Sequence, residues 1–277
     1  MIARRGVLIG GVALAALPRA FAQNSSPIAL RGSHEQGALV IGQAAGANAV
    51  TVDGQAVNFS GSQFVFGIAY DRTAPVKIEA HYGRDVIESA ELVPIVRQYE
   101  TQTVSGLPQE TVTPSPEQLE RIKREAAAIF AARQRDSDLM GFAQPFDWPF
   151  PGILTSVYGS RRIDNGVPKD VHLGVDIAAP EGTPIHAPAD AVVSIAEDYF
   201  LDGGFTLLDH GHGVSTCYLH QSQRLVKAGD SVAKGQVIGL VGHSGRATGP
   251  HTHWGLNWFQ LKLDPSRSTP TVLPPKA

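Results

Sequence analysis

The sequence predicts a mainly β protein: a compact antiparallel β domain in the C-terminal half, preceded by a small β-sandwich and a linker helix. Three observations carry this. Residues 24–96 hold short runs with apolar side chains at every second position, and residues 116–136 hold a helical period. From Phe146 to about Pro265, Gly, Pro, Val and Ile dominate, with turn pairs at short intervals and no helical period.

The chain has 277 residues, is 43% hydrophobic and 18% charged, and carries a formal charge of −3. This is ordinary globular composition, enough for one large or two smaller domains. The first residues differ from the rest. Arg4 and Arg5 precede an apolar run from Gly6 to Pro18, and Ala20-Phe21-Ala22 supplies the small-x-small pattern of a signal-peptidase site. Residues 1–22 are therefore expected to be removed, by either the general or the twin-arginine export route. Loss of Arg4, Arg5 and Arg19 moves the formal charge from −3 to −6, a poor balance for binding nucleic acid. No apolar run reaches the roughly 18 residues of a spanning helix, so no membrane span is expected in the mature chain. Cys217 is the only cysteine, which excludes an internal disulfide; in the apolar run Val214–Leu219 it reads as a small core residue.

Along residues 24–96, Val50 and Val52 alternate with polar neighbours, Asp53-Gly54 marks a tight hairpin, and Val57 and Phe59 resume the alternation. Phe64, Phe66 and Ile68 form another such run, as do Val76, Ile78 and Ala80. Strands this short and close predict a small sandwich. His34 and His81 stand alone and read as surface or packing residues.

Residues 101–115 lose the pattern, contain Gly106, Pro108 and Pro114, and read as a linker. Ser115 is placed to cap a helix, with Pro116 at its first position and Gln118 completing a capping box. Leu119, Ile122, Ile129 and Phe130 then keep helical spacing, which predicts a helix over 116–136 packed between the two β regions.

Beyond Phe146, turns are expected at Glu181-Gly182, Gly203-Gly204, Gly211–Gly213, Gly229-Asp230 and Lys234-Gly235. Apart from His34 and His81, all the histidines fall in this region. His172 and Asp176, at i and i+4 of an extended segment, share a face. His251 and His253 do the same at i and i+2. His220 ends the run Tyr218-Leu219-His220, where a side chain can lean over a cleft. Two imidazoles and a carboxylate make a three-ligand zinc site with room for a water, whose pKa the metal lowers to about 7. Peptide hydrolysis also needs a proton acceptor and a group to steady the oxyanion, which two further histidines can supply. Spacing leaves open which histidine binds metal.

The segment from Phe146 to Pro265 closely resembles the lysostaphin-type (LytM, M23) metallopeptidases. The matching runs are Ser156-Val157-Tyr158-Gly159-Ser160-Arg161, His172 to Pro184, Tyr218-Leu219-His220, Gly235-Gln236-Val237-Ile238-Gly239 and Thr248 to Trp254, in the family's order. The resemblance implies an open, barrel-like antiparallel sheet and one Zn2+ per chain held by His172, Asp176 and His253. By the same carry-over His220 and His251 are the unligated catalytic pair, with His251 the expected general base and His220 steadying the oxyanion, or the reverse. Arg161 and Tyr158 are candidates for the substrate groove. Gln221 and Gly255 depart from the family, where Leu and Glu are usual.

The expected organisation is a signal peptide over 1–22, a β-sandwich over 23–100, a linker over 101–145 and a peptidase domain over 146–270. The implied function is a zinc endopeptidase cleaving peptidoglycan stem-peptide cross-links, D-alanyl–diaminopimelate bonds in Gram-negative walls, in the periplasm. The alternative is a non-catalytic LytM-type module that binds wall or activates an amidase; such relatives have lost ligands that this chain retains. Another exported protein or a glycine-rich bridge is a further substrate class. The remaining histidines read differently. His210 and His212 lie among glycines in a hairpin turn, where ordered rings are harder to hold; His186 reads as a rim residue and His243 as exposed. Neither a Gly-x-Ser-x-Gly elbow nor an H-E-x-x-H helix is present.

Overall fold

A computed structural model describes residues 27–84 and 86–269, so the predicted signal segment over 1–22 lies outside the described residues. The N-terminal strands are β1 (Ile28–Arg31), β2 (Leu39–Ala44), β3 (Ala49–Val52), β4 (Gln55–Val57), β5 (Gln63–Gly67), β6 (Val76–Tyr82) and β7 (Val86–Leu92). They form a β1-β2-β5 sheet and a β4-β3-β6-β7 sheet, all antiparallel. Between them lie Val40, Val50, Phe64, Phe66, Ile78 and Ala80, each inaccessible to solvent. Burying a side chain such as Phe66 or Ile78 contributes about 1.5–3 kcal/mol. The Asp53-Gly54 loop has φ of 50° and 77°, the paired positive angles of a two-residue hairpin turn between Val52 and Gln55.

Residues 101–115 are more ordered than a linker. They contain β8 (Thr101–Val104) and the single turn α1 (Gln109–Val112). The helix α2 (Pro116–Arg133) starts at Ser115 with a reciprocal capping box to Gln118 and ends three residues short of the expected 136. It does not pack between the β regions. Ile129 and Ala132 lie on Ile195, Phe205, Leu207 and Cys217, so α2 covers one face of the C-terminal sheet, and none of its residues is fully buried. Its side chains hold it there: Arg121 donates to the Asp198 carbonyl and Glu125 accepts from the Phe200 amide.

The C-terminal region comprises β9 (Ile153–Ser156), β10 (Arg161–Asp164), β11 (Val167–Pro168), β12 (Val175–Ala178), β13 (Pro184–His186), β14 (Ala191–Tyr199), β15 (Gly203–Gly211), β16 (Val214–Gln221), β17 (Gln223–Arg224), β18 (Ser231–Val232), β19 (Val237–Leu240), β20 (His251–Trp258) and β21 (Leu261–Leu263). Its main sheet is antiparallel in the order β18-β14-β15-β16-β20-β12-β9, with β21 added beside β20 and the barrel left open. Val175, Ile177, Tyr218 and Trp254 pack on one face in the main core. A smaller sheet runs β11-β10-β8, with β8 parallel to β10.

The two β regions share a core. Leu39 and Val65 pack with Phe142, Phe146, Val214, Leu256 and Leu263. Arg97 pairs with buried Asp264 at 2.8 Å and lies over the Tyr99 and Tyr158 rings.

Candidate metal centre and catalytic cleft

Sheet register builds the centre. In the β9-β12-β20 ladders Ser156 pairs with Asp176, and Asp176 pairs with His253, so the three side chains form one row on one face. Val175 and Trp254, one residue over, point into the core instead. His251 lies opposite Ala178 and shares the face of His253 by period 2. His172 stands before β12 rather than in it, joined to Ser160 by an isolated bridge, and a bend at Gly174 separates it from the strand. Gly174 is needed there: a Cβ on it would collide with the His253 ring at Cε1.

The donor atoms converge. Asp176 Oδ1 is 2.9 Å from His253 Nδ1 and 3.1 Å from His172 Nε2, and the two ring nitrogens are 2.9 Å apart. Donors about 2.0–2.2 Å from a tetrahedral zinc stand about 3.3 Å from one another, close to this triangle. The donor set, two imidazoles and one carboxylate, also suits that metal, so these residues fit a zinc ion.

Outer contacts aim the donors. His172 Nδ1 meets Ser156 Oγ at 3.1 Å and the Val157 carbonyl at 3.4 Å. The other carboxylate oxygen of Asp176 accepts from the Arg162 guanidinium, which also donates to Ser156 Oγ at 2.9 Å. Ser156 Oγ in turn donates to Gln102 Oε1 at 2.6 Å. Burial raises the Asp176 carboxyl, but the charge and hydrogen bonds of His172 and His253 outweigh it and hold it well below the ordinary carboxylate range. Burial lowers His253 to about 4.

His220 and His251 sit beside this triangle with ring centroids 4.7 Å apart. Regular alternation would set His220 on the face of Tyr218, in the core. Its φ of 66° and the bulge between Gly204 and Thr206 break the alternation and turn the ring into the cleft. His220 Nδ1 donates to the Ser244 carbonyl at 2.8 Å and His251 Nδ1 to the Gly249 carbonyl at 2.9 Å. A carbonyl only accepts, so each neutral ring carries its proton on Nδ1 and leaves Nε2 bare. Burial, and then the neighbouring His251, lower His220 to about 3.

The cleft around these groups has a volume of about 730 Å³, and the strand β8 forms part of its wall through Gln102, Thr103 and Val104. A smaller cavity of about 220 Å³ between Arg31, Phe142 and Arg267 holds no such cluster.

Two groove residues expected from the sequence lie elsewhere. Tyr158 is buried among Tyr70 and Tyr99 and donates to the Lys262 carbonyl, because the chain leaves β9 at Ser156 and turns at Tyr158, away from the metal face. Arg161 points to solvent, and its neighbour Arg162 lines the cleft in its place. The His210–His212 hairpin also differs from expectation. Both rings are buried, His210 on Phe146 and His212 on Phe142, and neither lines the cleft. His210 Nε2 contacts Thr216 Oγ1 at 2.8 Å, and burial lowers this ring to about 4. His243 pairs with Glu181 at the surface, and His186 Nδ1 donates to the Pro149 carbonyl. Gly255 has a physical reason: a Cβ there would meet Cys217 Sγ at 2.7 Å.

The sequence pattern of peptidase family M23 matches residues 170–265. The peptidoglycan DD-endopeptidase ShyA of Vibrio cholerae is 42% identical over 105 residues, 37% of this chain and 24% of that protein. The DD-carboxypeptidase/endopeptidase Mpg of Neisseria meningitidis serogroup B is 43% identical over 84 residues, 30% of this chain and 19% of that protein. The chain thus spans a quarter or less of the length of these curated relatives. A crystal structure of an M23 peptidase from Pseudomonas aeruginosa is 29% identical with a TM-score of 0.65, covering 84% of this chain and 94% of that one. That likeness reaches beyond the matched domain into the N-terminal sheets.

Proposed function

Because the chain belongs to peptidase family M23, we propose that it is a zinc-dependent endopeptidase that hydrolyses peptide cross-links of bacterial peptidoglycan with water as the nucleophile. The observation that carries this is the meeting of His172, Asp176 and His253 within hydrogen-bond distance, beside the paired rings of His220 and His251, in one cleft. In this reading the first three hold the metal and the other two move protons.

Bound zinc would supply a Lewis acid for the scissile carbonyl and bring its water's pKa to about 7. The chain's own residues do the rest. With Nδ1 pinned to a carbonyl, His251 and His220 each offer a bare Nε2 as a proton acceptor. His251 is assigned as the base, since it stands on β20 two residues from His253, and burial opposes charge on His220. A charge on His251 disfavours charge on His220. The proton taken from the attacking water at one Nε2 is then available to the leaving amine. Once protonated at Nε2, a ring also becomes a donor toward the oxyanion. Arg162 holds the Asp176 carboxylate in place through its other oxygen.

Named activities of the relatives, DD-endopeptidase and DD-carboxypeptidase/endopeptidase, support a wall-peptide substrate with D-residues at the cleaved bond. The charged, apolar and small-residue order of residues 1–22 supports export, which for such a substrate means the periplasm of a Gram-negative bacterium. Among the described residues no helix is long and apolar enough to cross a membrane. Incubation of defined cross-linked muropeptides, and separately pentaglycine, with the zinc-loaded protein tests the proposal. Muropeptide cleavage is expected. Intact muropeptides with a zinc-loaded protein would leave a wall-binding or amidase-activating module as the function.

A further inference from the structure

Gln102 lies outside the matched peptidase segment, on β8, yet it is two hydrogen bonds from His172. Its amide orientation is fixed, because Nε2 donates to the Thr155 carbonyl at 3.0 Å and a carbonyl can only accept. That leaves Oε1 facing Ser156 Oγ at 2.6 Å, and the serine's single proton must go to it. Ser156 Oγ is then an acceptor toward both its other partners, Arg162 at 2.9 Å and His172 Nδ1 at 3.1 Å. The Val157 carbonyl, 3.4 Å from the same ring nitrogen, also requires a donor there.

We infer that Gln102 is a positioning residue for the metal centre: through Ser156 it keeps a proton on His172 Nδ1, so that Nε2, which faces Asp176 Oδ1 at 3.1 Å, is the atom presented for ligation. This inference rests on the metal reading above. Without Gln102, the serine hydroxyl is free to turn its proton onto His172 Nδ1, which favours the Nε2–H form and blocks the ligand atom. Outer-shell partners of a ligating histidine act in this way. The segment upstream of the matched domain thereby contributes to metal affinity. It is held in place by the parallel pairing of β8 with β10, including the bond from the Arg161 amide to the Glu100 carbonyl at 2.9 Å.

The test measures zinc affinity of the whole purified protein by competition with a chelator, and the His172 tautomer in the metal-free protein by 15N NMR of the imidazoles. Gln102→Met keeps the shape and removes the acceptor, and is expected to weaken zinc binding about 10–100-fold. Gln102→Glu keeps an acceptor for Ser156 and is expected to bind within about threefold of the unmodified protein, well inside that outer-shell loss. Ser156→Ala with Gln102→Met should bind no more weakly than Ser156→Ala alone, since both act through one hydroxyl. The NMR signature expected is a protonated Nδ1 in the unmodified protein, with Nδ1 losing its proton in Gln102→Met. Unchanged zinc affinity in Gln102→Met, or a bare Nδ1 in the unmodified protein, overturns the inference and leaves the metal reading intact. A protein that binds no zinc at all overturns both.

Discussion

Asp176 and His253 stand directly opposite each other in β12 and β20, with Asp176 Oδ1 2.9 Å from His253 Nδ1. A slip of one residue would turn both into the core occupied by Val175 and Trp254, so the centre is tied to the register that folds the sheet. Replacing Asp176 by Asn, or His253 by Ala, removes a donor while the register stays fixed by its neighbours. Zinc affinity should fall by more than the roughly 10–100-fold that outer-shell changes cost. Chelator competition measures it. Retention of tight binding in either variant would mean the metal sits elsewhere.

Gly174 gives His253 its place. In Gly174→Ala the new methyl meets the imidazole edge, so the ring must move off its line to Asp176. Weaker zinc binding is expected, with a stability loss of about 1–3 kcal/mol, typical of overpacking. Thermal melts with and without zinc separate the two effects. An unshifted affinity would show that the ring relaxes without cost.

The mainly β class was legible because alternation survives in single segments such as Val50-Thr51-Val52 and Val76 to Ala80. The start of α2 is written in Ser115, Pro116 and Gln118, three adjacent signals of local chemistry. Its place on the outer face of β14–β16 is not, because that depends on contacts with distant residues such as Ile195 and Phe205. The same limit applies at the site. Period 2 sets His251 and His253 on one face, but His172 reaches the centre through a bend at Gly174 rather than along a strand. Arg162 and Gln102 join it through the pairing of β10 with β8, a parallel contact across α1, α2 and β9 that no short motif encodes. A motif run places Tyr158 and Arg161 at the groove, but the turn after β9 carries Tyr158 into the core and β10 leaves Arg161 in solvent.

The paired histidines should separate chemistry from metal binding. His251→Ala and His220→Ala are each expected to lower kcat by about 10²–10⁴-fold, the range for a positioned acid or base. Zinc content should stay at one per chain, since neither ring belongs to the donor triangle. Steady-state rates with metal analysis check this. Loss of zinc in either variant would make that histidine a ligand instead.

His210 makes folding sensitive to acid. Burial lowers its pKa to about 4 in the folded protein, against an ordinary value of 6.5. Between those values the unfolded chain binds the proton and the folded one does not, so stability rises with pH across that window. The contribution is complete above pH 6.5 and is lost as pH falls toward about 4, at up to about 1.4 kcal/mol per pH unit. Denaturant melts of the metal-free protein between pH 8 and 4 measure the slope, which His210→Gln should flatten. An equal slope in the variant would assign the acid sensitivity to other groups.

The most direct test of the central claim is hydrolysis of a purified cross-linked muropeptide by the zinc-loaded protein, after chelation, and after zinc is returned. The account predicts cleavage of the peptide cross-link, its loss with the metal, its recovery with zinc, and none of these in Asp176→Asn. Cleavage that persists without metal, or a protein with one zinc per chain that leaves the cross-link intact, would contradict it.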